Sequence, residues 1–234
     1  MLLLWLRILY PVVIFFYSWN ELNITVAMFF GNHWATEVIV DIDKAIFGVH
    51  PTVWFLKYYT PLLDEIMNIF YAGYYLFAPI VILPLFFLNK QSEIFATIAI
   101  VVFTFFTNFV VFHFLPALGP QMIASIKALG SGEFSGYWIA SITKFFQATG
   151  SVEGACFPSS HISASVAWSL SALRYEKRIG IFLLPFTIGT SVSTVYLGYH
   201  HAIDPIAGFL WGILGFYGCL KILQLRGTKS SMIF

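Results

Sequence analysis

Charged residues are scarce in this sequence and make up 10% of its 234 residues. Soluble domains carry about 25%, so the low content excludes a globule whose whole surface faces water. The net charge of +1 also lacks the basic excess of nucleic-acid-binding proteins, and we expect no nucleic-acid partner. Two cysteines occur, Cys156 and Cys219, and neither their number nor their spacing suits a disulfide framework or a zinc site.

Apolar side chains are abundant instead, forming 59% of the chain and including 26 phenylalanines. Such a composition is the opposite of that of disordered segments. It predicts an all-α, polytopic integral membrane protein in which residues 1–234 form a single domain. The lipid bilayer is therefore the first partner that we expect.

Several apolar runs are long enough to cross a membrane, which takes about 20 residues. Residues 2–19 contain Arg7, but no small-residue cleavage site follows them, so we interpret them as a span and not as a signal peptide. The sequence predicts six transmembrane helices, at residues 2–19, 66–88, 94–115, 157–173, 179–199 and 203–220.

Two connections between the predicted spans are long, at residues 20–62 and 119–156. Within the second, residues 137–148 place several large apolar side chains on one helical face, among them Trp138 and Phe145. This pattern suits a helix lying in the membrane interface, and we predict interfacial helices in these loops. A short helix packed on the bundle remains the alternative.

The distribution of basic residues predicts the orientation. With six spans, the side of the short loops holds eight basic residues and the side of the long loops holds four. We therefore expect both termini in the cytoplasm and both long loops on the non-cytoplasmic side. The two sets are Arg7, Lys90, Arg174, Lys177, Arg178, Lys221, Arg226 and Lys229 on the first side, and Lys44, Lys57, Lys127 and Lys144 on the second.

Ionisable residues collect at the outer ends of consecutive predicted spans, where such groups are costly and usually functional. They are His113, His161, His200, His201 and Asp204. His161 and His200 are 39 residues apart, enough for one helix to cross the bilayer and the next to return. Both imidazoles can therefore reach the same depth, which indicates a shared site.

The segments around these residues suit phosphate chemistry. Ser159 or Ser160 can cap the helix that His161 opens, and a helix N-terminus presents N–H groups that suit a phosphate. Asp204 lies four residues after His200 and can orient that imidazole if the segment is helical. Alternatively, Asp204 is the N-cap of the last span, with Pro205 at the first helical position.

Two segments resemble signatures of the type 2 phosphatidic acid phosphatase superfamily. Residues 154–161 read GACFPSSH and residues 193–204 read STVYLGYHHAID. The family's second and third signatures read P-S-G-H and S-R, five residues, H, three residues, D. The forms F-P-S-x-H and H-x-x-x-D also occur in the branch with the fungal inositol phosphorylceramide synthases. Residues 114–120 look like the first signature, and residues 43–51 also look like that branch, so the resemblance covers most of the chain.

The resemblance implies the chemistry of the site. His200 would be the nucleophile that becomes a phosphohistidine, oriented by Asp204, and the family register favours it over His201. His161 would protonate the leaving oxygen and then activate the acceptor water or alcohol. The family needs no metal or other cofactor. The substrate would be a lipid phosphate ester whose tails stay in the bilayer, and the site would face the non-cytoplasmic side.

The phosphate clamp departs from the family pattern. Gln121 and Thr194 occupy the positions of two family arginines, and no lysine stands where the first signature has one. Uncharged donors, the helix terminus or a loop lysine would then hold the phosphate. A phosphodiester carries one negative charge and needs less compensation than a dianionic monoester, so the expectation shifts from plain phosphatase toward head-group transfer or diester cleavage. The candidate substrate-binding residues are Ser159, Ser160, Gln121, Thr194, Tyr199 and Lys144, with Lys127 a further possibility.

Three alternatives stay open at this point. An inositol-phosphorylceramide-synthase-like transferase would act on a phosphodiester. A catalytically silent relative would bind lipid only, although such relatives usually lose a histidine or the aspartate. A transporter is favoured less. Asp41 and Asp43 are interpreted as residues of a solvated loop, and His113 either assists the site or bonds a carbonyl freed by Pro116.

Overall fold

The computed structural model describes residues 2–29, 32–129 and 136–230, with side chains from residue 10 to 126 and from 136 to 225 within those ranges. These residues are almost entirely helical, with one isolated bridge between Ala117 and Ala155. The α-helices are α1 (Leu2–Phe29), α2 (Ala35–Phe47), α3 (Pro51–Leu56), α4 (Pro61–Gly73), α5 (Phe77–Phe87), α6 (Gln91–Phe114), α7 (Ala124–Leu129), α8 (Trp138–Gly150), α9 (Ser160–Tyr175), α10 (Lys177–Tyr196) and α11 (Ile203–Ser230).

Five stretches of helix in the described residues are long and apolar enough to cross a membrane. The second of them joins α4 and α5 through one 3₁₀ turn. They identify an integral membrane protein and overlap five of the predicted spans. The first helix continues to Phe29, beyond the predicted end of its span at residue 19. The stretches are Tyr10–Phe29, Pro61–Phe87, Gln91–Phe114, Lys177–Tyr196 and Ile203–Leu225.

The remaining predicted span, at residues 157–173, corresponds to α9. This helix has 16 residues, fewer than the length that usually crosses a bilayer alone. It packs against α6, α10 and α11, and its buried positions occur around the whole helix. Its central place explains its composition, because small Ser and Ala side chains let three helices approach it at once. A six-span topology stays a prediction.

Helices α9 and α11 approach each other closely at two glycines. A Cβ atom at Gly208 would lie 2.5 Å from the carbonyl oxygen of Ser159, and one at Gly212 would lie 2.6 Å from that of Ser163. Real Cβ atoms do not approach backbone this closely, so only glycine fits. Gly208 and Gly212 thus form a close-packing face on α11, which fixes the start of α9 against it.

Helix α8 confirms the helix expected near residues 137–148. Its N-terminus is fixed to α4 because the Glu65 carboxylate accepts the backbone N–H groups of Tyr137, Ile139 and Ala140. Its other end is held by the Trp19 indole, which donates to the carbonyl of Gly150 at 3.0 Å. The aromatic face is exposed, and its position in a membrane interface stays a prediction.

Candidate active site

His161, His200 and Asp204 form one connected group. Asp204 Oδ2 lies 3.3 Å from His200 Nδ1, and His200 Nε2 lies 3.4 Å from His161 Nδ1. Asp204 and His200 are almost fully buried, at 0% and 4% exposed. The carboxylate therefore leaves His200 Nε2 as the ring nitrogen that faces His161.

The turn between α10 and α11 sets the position of His200. The carbonyl of Thr194 accepts the backbone N–H groups of Tyr199 and His200, at 2.9 and 3.1 Å. Gly198 allows the turn because its φ is +74°, a value that other residues rarely adopt. The carbonyl of Gly198 in turn accepts the N–H of Gln121 at 2.9 Å, which ties the first-signature region to this turn.

Asp204 connects the two signature segments. Its Oδ2 accepts the Cys156 thiol at 2.9 Å and the backbone N–H of His201 at 2.8 Å. Its carbonyl accepts the N–H of Ser159 at 3.1 Å. Because α11 begins at Ile203, Asp204 lies inside the first turn and is not the N-cap considered from the sequence.

Asp43 has a place that its sequence context did not predict. Its side chain is 0% exposed, and its two oxygens accept the N–H groups of Ala202 and Ile203 at 2.8 and 2.9 Å. It therefore satisfies free N–H groups at the start of α11 from another helix. Both residues lie in α2 and not in a loop. Asp41 is solvated as expected, with a side chain that is 78% exposed, whereas the solvated interpretation is wrong for Asp43.

Two of the candidate histidines have partners elsewhere. His201 Nε2 lies 3.0 Å from the carbonyl oxygen of Leu118. His113 bonds the carbonyl of Phe109 at 2.6 Å and the hydroxyl of Thr25 at 2.9 Å. His113 thus connects α6 to α1. Its carbonyl partner is Phe109 and not Phe112, whose carbonyl Pro116 leaves without a helical donor, so its structural role differs from the one considered.

Burial sets the charge of this site. It lowers the pKa of His200 to about 4, because a buried cation loses its hydration. His200 is therefore neutral near pH 7. Burial, followed by the nearby Asp204, raises the pKa of the Cys156 thiol well above its ordinary value. The thiol keeps its proton and can donate it in the hydrogen bond to the carboxylate.

The residues predicted to bind substrate divide into two groups. Ser160, Gln121 and Tyr199 line a cavity together with His161, and Ser159 is buried with an unpartnered hydroxyl. Thr194 turns its hydroxyl into its own helix, where it donates to Ser191.

Lys144 is the remaining candidate, and it lies on α8. It acts electrostatically on Asp64 of α4, and it is not among the described residues that line the cavity. A substrate-binding role for Thr194 or for Lys144 stays a prediction.

The cavity has a volume of about 860 Å³ and runs between α1, α5 and α6. Its polar end is formed by Gln121, Ser160, His161 and Tyr199. Its other end is apolar and reaches the outer surface of the bundle through the exposed residues Val12, Phe16 and Leu83. A molecule with a polar head and apolar tails matches this distribution of side chains.

One group of side chains in the described residues has the donor atoms of a metal site. The ligand atoms of Cys156, His200 and Asp204 lie within 4.8 Å of one another. In the structure the thiol and the imidazole both face the same carboxylate oxygen. Both contacts can be hydrogen bonds to the carboxylate, with no metal ion needed to explain them. The metal-independent site stays a prediction.

Sequence reasoning missed a tyrosine that touches His161. The Tyr71 hydroxyl lies 3.0 Å from His161 Nε2, and the Gln147 amide donates to the same hydroxyl. Tyr71 is 0% exposed. The available signal was the run of tyrosines at 71, 74 and 75 inside an otherwise apolar span.

Comparison with known proteins gives the family. The sequence matches the PAP2 superfamily over residues 37–218, a range that contains Asp43, both signature segments and most of the helices described above. The chain belongs to this superfamily, whose membership indicates a phosphatase or phosphotransferase type of lipid enzyme. Searches of curated proteins and of solved structures find no match.

Proposed function

We propose that this protein is a lipid phosphatase or phosphotransferase that acts on a lipid phosphate ester through a phosphohistidine. The observation that carries the proposal is the cavity that joins His161 to the apolar surface between α1, α5 and α6. Lipid tails can occupy its apolar end while the phosphate reaches the histidines. The bilayer and a membrane lipid are then the partners, and the proposal requires no cofactor.

The first step is attack by His200. Asp204 accepts the Nδ1–H of that ring, so the lone pair on Nε2 is directed at the phosphorus. As the N–P bond forms, the ester P–O bond breaks and the leaving oxygen takes a proton from His161. A bound phosphate anion favours the protonated form of His161, which can therefore act as the general acid.

The second step returns the enzyme to its starting state. His161, now neutral, removes a proton from water or from an acceptor alcohol, whose oxygen attacks the phosphorus. The N–P bond breaks and His200 recovers its lone pair. Water gives a phosphatase and an alcohol gives a phosphotransferase, so access of the acceptor to His161 decides between the two.

The small number of cationic groups in the described part of the site favours a substrate phosphate with one negative charge over one with two. Among the described side chains, the only ion pair to either histidine is with Asp204, while Gln121 stands at the cavity where the family has arginine. A second negative charge is poorly compensated in such a low-dielectric site. We therefore expect activity on phosphodiesters to be higher, relative to monoesters, than in relatives with the full clamp.

The orientation belongs to the same proposal. Both termini are placed in the cytoplasm, and the site opens to the non-cytoplasmic leaflet. The support is the basic excess in the short loops, which marks the cytoplasmic side in membrane proteins.

The test is turnover by purified protein of lipid monoesters, diphosphates and diesters, with both free phosphate and transferred head group measured. His200→Ala, His161→Ala and Asp204→Asn should each lower turnover at least about 100-fold. The matched control is His201→Ala, whose ring bonds Leu118 and not His161. Normal activity in His200→Ala would contradict the proposal, and loss in His201→Ala alone would move the nucleophile by one residue.

A further inference from the structure

His161 has a hydrogen-bonding partner on each of its ring nitrogens. Nδ1 faces His200 Nε2 at 3.4 Å, and Nε2 faces the Tyr71 hydroxyl at 3.0 Å. An imidazole that acts as acid and base must keep one nitrogen directed at the reacting oxygen. The neighbour of the other nitrogen therefore decides which tautomer and which ring orientation are available.

Tyr71 is rigidly held where it meets this ring. It is 0% exposed, and its ring packs against those of His161 and Tyr199, with centroids 5.3 and 4.8 Å away. The Gln147 amide of α8 donates to its hydroxyl oxygen. A phenol oxygen can accept two hydrogen bonds while donating one, so it can accept from both Gln147 and His161.

We propose that Tyr71 is a positioning residue for the acid–base reaction of His161. Its oxygen accepts the Nε2–H of His161 and so keeps Nδ1 as the nitrogen that gives and takes the proton. The arrangement parallels Asp204 with His200, in which one nitrogen is held so that the other can react. This inference rests on the proposed function, since it assigns a partner to a group of the same site.

The proton movements follow from this assignment. In the first step, the Nδ1 proton passes to the leaving oxygen as the P–O bond breaks, and Nε2–H stays bonded to Tyr71. In the second step, Nδ1 takes the proton of water while the N–P bond breaks. Tyr71 neither gains nor loses a proton in either step, and Gln147 holds the phenol in place throughout.

The test uses two esters that differ in their need for a general acid. An alkyl phosphate ester has a basic leaving oxygen that must be protonated, whereas a p-nitrophenyl ester leaves without help. Tyr71→Phe keeps the ring and removes the hydroxyl. We expect kcat/KM to fall about 10- to 100-fold for the alkyl ester, the range of general-acid catalysis, and by less than about threefold for the nitrophenyl ester.

Tyr74→Phe is the matched control. Its ring also lies against His161, at 5.3 Å between centroids, but Tyr71 supplies the hydroxyl that bonds Nε2. Tyr74→Phe should keep both activities. Thermal unfolding in detergent should show that both variants are folded, so that a change in kcat/KM reports the hydroxyl.

Two results would overturn the inference. Equal loss on both esters would make Tyr71 a packing residue only, and full alkyl-ester activity in Tyr71→Phe would remove its role altogether. The proposed function fails in a different way: wild type would turn over neither ester, or His200→Ala would remain active on both. An active wild type with an inactive His200→Ala, together with either of the first results, refutes the role of Tyr71 alone.

Discussion

At the scale of single residues, the site is built from buried carboxylates with different tasks. Asp204 faces the imidazole of His200 at 3.3 Å, whereas Asp43 accepts two backbone N–H groups at the start of α11. A carboxylate is a strong acceptor for such groups because its charge complements the positive end of the helix. Asp43 therefore fixes the segment that carries His200 and Asp204 without touching either side chain.

Asp43→Asn should weaken this attachment. An amide offers one oxygen in place of two, so one backbone N–H loses its acceptor and the charge is removed. We expect a loss of about 1–3 kcal/mol in stability, the usual cost of a buried unsatisfied group, together with lower kcat/KM. Thermal unfolding in detergent and steady-state kinetics measure the two effects.

The control for this change is Asp41→Asn, two residues earlier on the same helix. The Asp41 side chain is 78% exposed, so this variant loses a charge in solvent and should behave like wild type. Equal effects of the two substitutions would show that helix charge, and not the contact with α11, explains the result.

At the scale of elements, the position of α9 against α11 decides whether the two histidines meet. His161 is in the first turn of α9, and Asp204 is in the first turn of α11. The N–H of Ser159 donates to the carbonyl of Asp204 at 3.1 Å, next to the glycine that lets the helices touch. The distance between His161 and His200 therefore depends on packing that lies outside both side chains.

Gly208→Ala should separate these helices. The added Cβ would lie 2.5 Å from the carbonyl oxygen of Ser159, and because that atom is backbone, the helices must shift. We expect turnover to fall at least about tenfold and stability to fall by about 1–3 kcal/mol, the usual cost of overpacking. Turnover and thermal unfolding in detergent are the measurements.

Gly218→Ala provides the comparison on the same helix. A Cβ there would lie 3.7 Å from its nearest neighbour, the ring of Phe103, which is ordinary contact distance. It should leave activity unchanged and slightly favour the helix. Inactivation by Gly218→Ala as well would mean that α11 tolerates no added methyl group, which would remove the argument from the contact with α9.

At the scale of the whole molecule, orientation determines which leaflet the cavity serves. Lys57 follows α3 and Gln91 begins α6, so a span separates them. Both are exposed, while the native Cys156 and Cys219 are buried. Cysteines introduced at the two positions can therefore be labelled selectively.

Lys57→Cys should react with an impermeant maleimide in intact cells, whereas Gln91→Cys should react only after permeabilisation. The reason is that the short basic loops stay in the cytoplasm. The protein without an introduced cysteine is the negative control, because its two native thiols are buried. Labelling in the opposite pattern would place the active site on the cytoplasmic side.

The sequence by itself determined the class of the protein and the grouping of its main chemical residues. The low content of charged residues excluded a water-soluble globule, and the long apolar runs predicted a bundle of membrane helices. The separation of 39 residues between His161 and His200 allowed one helix to leave and the next to return, so their meeting followed from helix length. The spacing of four between His200 and Asp204 brought their side chains together as well, but through the turn before α11 and not through a continuous helix.

Only the tertiary structure decided which other side chains reach the site. Tyr71 and His161 are 90 residues apart, and Asp43 and Ala202 are 159 apart, so no local period relates them. Thr194 shows the converse, since its place in the signature suggested a substrate contact, but its hydroxyl bonds its own helix. Helix packing fixes these directions, because close contacts such as that of Gly208 with α9 set the rotation of each helix and hence the side chains that face the cavity.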